Sequence, residues 1–348
     1  MPTVQVPVLR DLTQQIFEAV GTPTDLATIL AEHLVDANLA GHDSHGVMRI
    51  QPYVQNVRDG QVIPDARPTV IEERPATALV SGNWGFGHVA TTFATDLAAR
   101  KAKQGGVAVV GIAQCNHIGR VGAYPTQAAA QGVASFVVVG GLSGSGSVVP
   151  FGGREGRLST NPLSFGFPAG SRPPFLVDFA TSTVAGGKVM LASAKGEAVP
   201  EGALLDAEGN PTTDPRSRSQ GGVMLPFGGH KGYGLSLVVG LFGGLLTHSA
   251  RHAGQQQRGG GTFIMAVDSG LFGPLDALEQ EVDTAFARIK DTPPVPGVDE
   301  VLIPGEPEHR TRNLRLKEGI PVPSTTWDEI GTIAGDLGVS MPPIPLVE

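Results

Sequence analysis

Cysteine is almost missing from this chain of 348 residues: Cys115 stands alone. A single thiol cannot close an internal disulfide, and such a chain suits a reducing compartment. Aromatic residues are scarce at 5%, which argues against a stacking platform for nucleic-acid bases. Positive charge is in deficit, with 25 Lys and Arg against 33 Asp and Glu, a net charge of −8. That balance disfavours nucleic acid and anionic membrane as partners. Long apolar runs are also lacking. The longest, Gly232–Thr247, is short for a bilayer span and holds five glycines, so a buried helix is expected there. The first ten residues lack a basic start followed by an apolar core, so no signal peptide is expected. A cytoplasmic globular protein is the resulting expectation.

Glycine and proline, by contrast, are abundant, at 48 and 28 residues. The glycines follow no three-residue period, which excludes collagen. The hydrophobic fraction of 41% can fill a substantial core at this length.

The first 60 residues read as helices. Thr22 and Asp25 have the spacing of a capping box, with Pro23 at the first helical position. Leu26, Ile29, Leu30, Leu34 and Ala37 then recur at helical spacing, and Gly41 closes the run. A second helical pattern follows Ser44 and ends at Gly60, and Pro64–Pro68 reads as a linker. Beyond Ala76 the texture changes to short β-branched runs between glycine turns. Strands are expected at Thr77–Val80, Val107–Ile112, Val133–Val139, Pro162–Phe167, Phe175–Phe179 and Thr262–Val267. Helices are expected at His88–Lys103, Lys231–Thr247, Leu275–Lys290 and Thr325–Leu337. Residues 195–222 form a polar excursion, and Asp291–Glu308 is proline-rich and extended. The mixture argues for an α/β or α+β protein.

Standard nucleotide loops fail. Gly186-Gly187-Lys188 is followed by Val189, and position 182 is serine, so no Walker loop exists. Gly85-Phe86-Gly87-His88-Val89-Ala90 has the letters of a dinucleotide fingerprint, but Gln114 stands where the acidic ribose ligand belongs. A plain turn into a helix is the better reading. No G-x-S-x-G elbow occurs. His42 and His45 could share a metal, but nothing accompanies them, and no metal is expected.

Four segments carry chemistry. In Gly41–Arg49 (GHDSHGVMR), His45 and Arg49 are four apart and are expected on one helix face. A guanidinium can grip a carboxylate through two hydrogen bonds, and an imidazole can move a proton to the adjacent oxygen. The alternative is a capped helix junction with a surface arginine. Asn116–Tyr124 (NHIGRVGAY) follows a strand, where ligand loops often lie. Asp178 interrupts an apolar run and needs a partner; a histidine relay or a strand-end cap would serve. Gly228–Leu235 (GGHKGYGL) opens a helix whose N–H groups, with Lys231, suit an anion.

With Thr160-Asn161-Pro162, Val177–Ser182 (VDFATS), Pro211–Asp214 (PTTD) and Pro304-Gly305-Glu306, these segments resemble, in one order along nearly the whole chain, the type 2 malate/L-lactate dehydrogenase family. The family includes sulfolactate and ureidoglycolate dehydrogenases, diketogulonate reductase and Δ1-piperideine-2-carboxylate reductases. The resemblance implies an NAD- or NADP-dependent oxidoreductase acting on a small 2-oxo or 2-hydroxy acid or a cyclic imino acid. It implies an L-sulfolactate-dehydrogenase-like, non-Rossmann α/β (α+β-like) fold with a mostly antiparallel central sheet, assembled as a homodimer. Residues 1–75 with 310–348 would form a helical, substrate-side and dimerisation layer, and 76–309 a cofactor-binding sheet domain. Carried over by motif, His45 is the general acid, oriented by Ser44 and Asp178, and His117 is a second active-site histidine. Arg49, His117 and Thr160 fall at substrate positions. His117, Gly119, Gly122, Asp178, Phe179, Ala180, Thr181, His230, Lys231, Gly305 and Glu306 fall in cofactor-contacting segments. Residues 247–261 match the family least and would hold substrate determinants. The rival expectation is a non-catalytic dinucleotide- or metabolite-binding protein on the same scaffold.

Overall fold

The structure, a computed structural model, describes residues 1–142, 146–249 and 259–343. Residues 250–258, the centre of the stretch that matches the family least, lie outside them. Its amino-terminal helices follow the apolar spacing. After a short strand, Thr3–Val4 (β1), helix Val6–Ala19 (α1) buries Leu9, Leu12, Ile16 and Phe17. Helix Thr24–Leu39 (α2) buries Leu26, Leu30, Leu34 and Val35. Helix Ile50–Arg58 (α3) buries Ile50, Tyr53 and Val54. Each such side chain, once fully buried, contributes about 1.5–3 kcal/mol.

Strands Thr69–Arg74 (β2) and Thr77–Ser81 (β3) form a hairpin, and helix Gly87–Gly105 (α4) leads to Val107–Cys115 (β4). Helix Ala123–Ala129 (α5) precedes Val133–Gly140 (β5), Pro162–Phe167 (β6) and Phe175–Ala180 (β7). Helix Gly186–Lys195 (α6) then introduces a small sheet of Leu204–Leu205 (β8), Pro211–Thr212 (β9) and Val223–Met224 (β10). Helix His230–Val239 (α7), strand Gly260–Asp268 (β11), helices Leu275–Lys290 (α8) and Glu306–Glu318 (α9), strand Ile320–Pro321 (β12) and helix Ser324–Asp336 (α10) complete the order.

The main sheet runs β2-β3-β4-β11-β5-β6-β7. Only β3 and β4 are parallel; every other neighbouring pair is antiparallel. The mostly antiparallel α/β expectation therefore holds. Ala90, Ala94, Ala98 and Ala102 line one side of α4 and pack in one buried cluster with Val80, Val110, Ile112 and Ile264 of the sheet. A separate apolar cluster joins α1, α2 and α3 to α10 and Ile320.

Several local expectations need correction. Helix α2 has Pro23 as its cap, and the buried Thr22 hydroxyl has no hydrogen-bond partner, so no capping box forms. Asp25 is drawn instead to Arg67 at 2.7 Å. The helix expected over 231–247 is α-helical to Val239 and then π-helical over Gly240–Leu246. Helix α6 and strand β2 were not expected. Helix α9 begins at Glu306, inside the segment expected to be extended.

The fingerprint-like Gly85–Ala90 does connect β3 to a helix. However, a Cβ on Gly87 would collide with the carbonyl oxygens of Asn116 and His117. The chain itself occupies the space where a Rossmann protein admits pyrophosphate.

Candidate active site

The segment after α2 holds the first histidine. Two single 3-10 turns, Asp43–His45 and Val47–Arg49, are separated by Gly46 in an extended conformation. His45 and Arg49 thus do not share one helix face, contrary to the four-residue spacing. The extended backbone of Gly46 interrupts the helix, and the Asn38 side chain fills the space a Cβ there would need. Asn38 Oδ1 then accepts the Val47 N–H at 2.9 Å.

Within this turn Ser44 Oγ lies 2.9 Å from His45 Nδ1. The Arg49 guanidinium donates from Nε to the Ser44 carbonyl at 2.7 Å. Among the described residues Arg49 takes part in no ion pair. The His117 ring, from the loop after β4, stacks near the His45 ring with centroids 5.7 Å apart and a 17° tilt. Tyr53 Oη sits 2.6 Å from His117 Nδ1, and the Gly119 N–H donates to the same nitrogen at 3.3 Å. With a backbone donor on Nδ1, the neutral His117 ring carries its proton on Nε2.

Burial, then the neighbouring His117 and Arg49, pulls the His45 pKa down to about 3. Desolvation and then Arg49 pull His117 down to about 4, although the residue is exposed on the open side of the site. Both imidazoles are therefore neutral at neutral pH, beside a positive charge with no carboxylate on it. This arrangement can receive an anion on Arg49 and a proton on a histidine. Behind it, His88 is wholly buried with neither ring nitrogen partnered, its ring 5.4 Å from Tyr53 and 5.5 Å from His33.

Asp178 does not orient His45. Its Oδ2 accepts the Gly122 N–H at 2.8 Å. Burial raises its pKa, opposed by Arg120 and by that N–H. The expected histidine relay is absent because β7 directs this carboxylate to the Gly122 turn. Thr160 is tied to Thr181, whose N–H and Oγ bond its carbonyl at 2.9 and 3.0 Å.

The glycine-rich segments converge on the end of β7. Phe227 N–H bonds the Thr181 carbonyl at 3.1 Å, and the Phe179 and Phe227 rings meet edge-on at 5.3 Å. Gly228 and Gly229 then turn with positive φ into α7, where His230 and Lys231 are exposed. A Cβ on Gly228 would meet nothing within 4 Å, so this turn faces open space. On the other flank Gly305 has positive φ, and a Cβ there would crowd the Pro174 carbonyl and Leu176. Gly122 approaches through Asp178, while Gly119 stays on the His117 side. An extended dinucleotide fits such a set: an open glycine turn at Gly228, a helix N-terminus and an exposed lysine. The Glu306 carboxylate is held by Lys290 at 2.6 Å and by the Ile303 N–H at 3.2 Å. Among the described residues no group of three or more His, Cys, Asp or Glu could hold a metal ion.

Sequence reasoning missed Tyr53, although it lies four residues beyond Arg49 on the same polar-to-apolar pattern. It also gave Asn38 and Arg120 no role. Arg120 is buried, donates to Asp36 at 3.0 Å, and leaves Nε and Nη1 without partners.

A dehydrogenase-like site on a non-Rossmann sheet is the class that fold and geometry together define. The sequence model of malate/L-lactate dehydrogenase matches residues 4–331. L-lactate dehydrogenase of Cupriavidus necator is 35% identical over 96% of this chain and 97% of its own. Two solved structures superpose closely. Sulfolactate dehydrogenase from Methanocaldococcus jannaschii has a TM-score of 0.88 and 31% identity, covering 97% of this chain and 98% of that one. Δ1-piperideine-2-carboxylate reductase from Pseudomonas syringae pv. tomato has a TM-score of 0.83 and 30% identity, covering 96% and 100%. This chain belongs to the malate/L-lactate dehydrogenase family, and it is an oxidoreductase.

Proposed function

We propose that this enzyme transfers hydride reversibly between NAD or NADP and the α-carbon of a small 2-oxo or 2-hydroxy acid, or of a cyclic imino acid. The observation that carries this reading is Arg49, a half-buried guanidinium with no ion-pair partner among the described residues, beside two neutral stacked imidazoles. The bound nicotinamide supplies or accepts the hydride. Arg49, braced through Nε on the Ser44 carbonyl, presents its remaining N–H groups to the substrate carboxylate and fixes which face is turned to the hydride. In oxidation, His45 Nδ1 donates to Ser44 Oγ, and Nε2 takes the proton from the substrate hydroxyl. In reduction the same nitrogen returns it. The substrate carboxylate cancels part of the Arg49 field, so its arrival raises the proton affinity of His45. His117, held by Tyr53, lies against the other side of the site and is the next choice for the proton. Thr160 is assigned to the substrate side, and the turns at Gly119, Gly122, Asp178–Thr181, His230, Lys231 and Gly305 to the cofactor side. Glu306 is assigned to bracing that side through Lys290.

A homodimer is part of this reading. Its support is an exposed apolar stripe on α7 and the following turn: Leu235, Val238, Leu241, Phe242, Leu245 and Leu246. An apolar trough of about 680 Å³ on the sheet includes Phe136, Phe165 and Met265. Both lie on the sheet domain, so we place the dimer contact there rather than on the helical layer. The cytoplasm is the proposed location, supported by the single buried Cys115. Among the described residues no helix is long and apolar enough to cross a membrane.

The test is nicotinamide absorbance during turnover of a panel of 2-oxo acids and cyclic imino acids with each cofactor. Turnover of at least one compound is expected. No turnover with any compound and either cofactor refutes the reading.

A further inference from the structure

The turn that carries Ser44 and His45 is fixed from its outer side by an ion pair and hydrogen bonds. Asp43 opens the turn, and its carboxylate receives the Arg315 guanidinium twice, Nη1 to Oδ1 at 2.6 Å and Nη2 to Oδ2 at 3.1 Å. Arg315 Nη1 also donates to the Asn38 carbonyl. Asn38 Nδ2 reaches the same Asp43 Oδ1 at 2.6 Å, while its Oδ1 holds the Val47 N–H. The Arg315 side chain is 15% exposed. The Asp43 side chain is 41% exposed, and two parallel hydrogen bonds, with the Asn38 contacts, hold the pair in one geometry where a single surface contact would wander.

Arg315 belongs to a polar face of α9. Glu308 meets His42 at 3.4 Å, Thr311 lies against Gly41, Arg312 pairs with Asp36, and Arg315 pairs with Asp43. These positions recur at three- and four-residue spacing, as one helix face requires. No residue of α9 is buried, so its hold on α2 and the turn is made of hydrogen bonds and ion pairs. At its other end α9 starts from Gly305, packed on Leu176, two residues before Asp178. Helix α9 therefore spans from the cofactor side of the site to the histidine turn.

We propose that Arg315, acting through Asp43, is a positioning residue that sets His45 against the substrate. The proposal rests on His45 as the proton carrier. Without the fork, Asp43 keeps only Asn38, and the 3-10 turn loses the contact that fixes its first residue. His45 and the Ser44 carbonyl that braces Arg49 then move together. A small displacement of a proton donor lowers the chemical step far more than it lowers folding.

The test compares Arg315→Ala, Arg315→Lys, Asp43→Asn and His45→Ala as purified full-length proteins, by kcat, thermal midpoint and cofactor affinity from nicotinamide fluorescence. Arg315→Ala is expected to lose at least tenfold in kcat while keeping cofactor affinity within twofold. Added guanidinium ion is expected to restore part of that kcat, and to restore none in His45→Ala. Arg315→Lys is expected to lie between parent and Arg315→Ala, since a point charge replaces a fork. Folded Arg315→Ala and Asp43→Asn with kcat within twofold of the parent would overturn the proposal. So would a loss of kcat that only follows loss of folded protein, without guanidinium rescue. Full activity in His45→Ala removes the proton-carrier assignment itself. An inactive His45→Ala beside fully active Arg315 and Asp43 variants removes the clamp alone.

Discussion

Replacing Arg49 by glutamine separates two effects that one guanidinium exerts together. The first is on binding. A hydrogen-bonded contact to a charged group contributes about 1.5–3 kcal/mol, and tenfold in affinity corresponds to about 1.4 kcal/mol. Arg49→Gln should therefore raise KM for a carboxylate substrate by roughly 10- to 150-fold. The second effect is on the histidines. Arg49 is the third cause of the low His45 pKa, after burial and His117, and the second cause for His117. Unit charges about 4 Å apart interact by roughly 1–4 kcal/mol between water and a protein surface, and about 1.4 kcal/mol moves a pKa by one unit. Because Arg49 is a lesser contributor, the expected rise is about one unit at each ring. Arg49→Lys is the control, since it keeps the charge and loses the fork. It should raise KM and leave both imidazole pKa values in place. The assays are steady-state kinetics in the reducing direction and an NMR titration of the histidine ring protons. An unchanged KM in both variants would take Arg49 out of the carboxylate site. A histidine titration that does not move in Arg49→Gln would refute the electrostatic argument.

Three further outcomes are expected. Tyr53→Phe removes the hydroxyl from His117 Nδ1 and should lower kcat about fivefold, the effect of about 1 kcal/mol for one hydrogen bond; an unchanged kcat would make Tyr53 a packing residue only. Acid should destabilise the fold early. His33 and His45 are held neutral at about 4 and about 3, below the 6.5 of the unfolded chain. Their contribution is complete above 6.5 and is lost as pH falls toward the folded values, at up to about 1.4 kcal/mol per pH unit for each group. Denaturant midpoints between pH 7 and 4.5 check this, and His33→Gln should flatten the decline; equal slopes would contradict it. Gly87→Ala should cost about 1–3 kcal/mol of stability and lower kcat, because its methyl displaces the Asn116–His117 backbone; a variant with the parent's thermal midpoint would show that the loop yields freely.

Elements with a strong local pattern were legible from sequence. Strand Pro162–Phe167 and helix Leu275–Lys290 have the bounds the residue pattern gives. Strand β2 escaped because all six of its residues are exposed at the sheet edge, leaving no alternation to read. No residue pattern marks helix α9, since it buries nothing and carries no apolar stripe; only the family resemblance put residues from 310 in a helical layer. At the site, Ser44 and His45 are neighbours in the chain, so their contact could be anticipated. Tyr53 and His117 are 64 residues apart, and Asp43 and Arg315 are 272 apart. No periodicity marks such pairs, because the fold alone creates them. The helix face expected for His45 and Arg49 failed on the packing of Gly46 against Asn38, another contact between elements.

The crowding at Gly87 has an electrostatic side. The first turn of α4 presents the positive end of a 19-residue helix dipole. In a dinucleotide-binding turn that field would act on phosphate. Here the partial negative charges of two peptide oxygens, those of Asn116 and His117, lie against it. The helix therefore acts as a fixed electrostatic seat for the backbone that carries a histidine. A fingerprint read from letters as a ligand cradle is, in this protein, the chain binding a piece of itself.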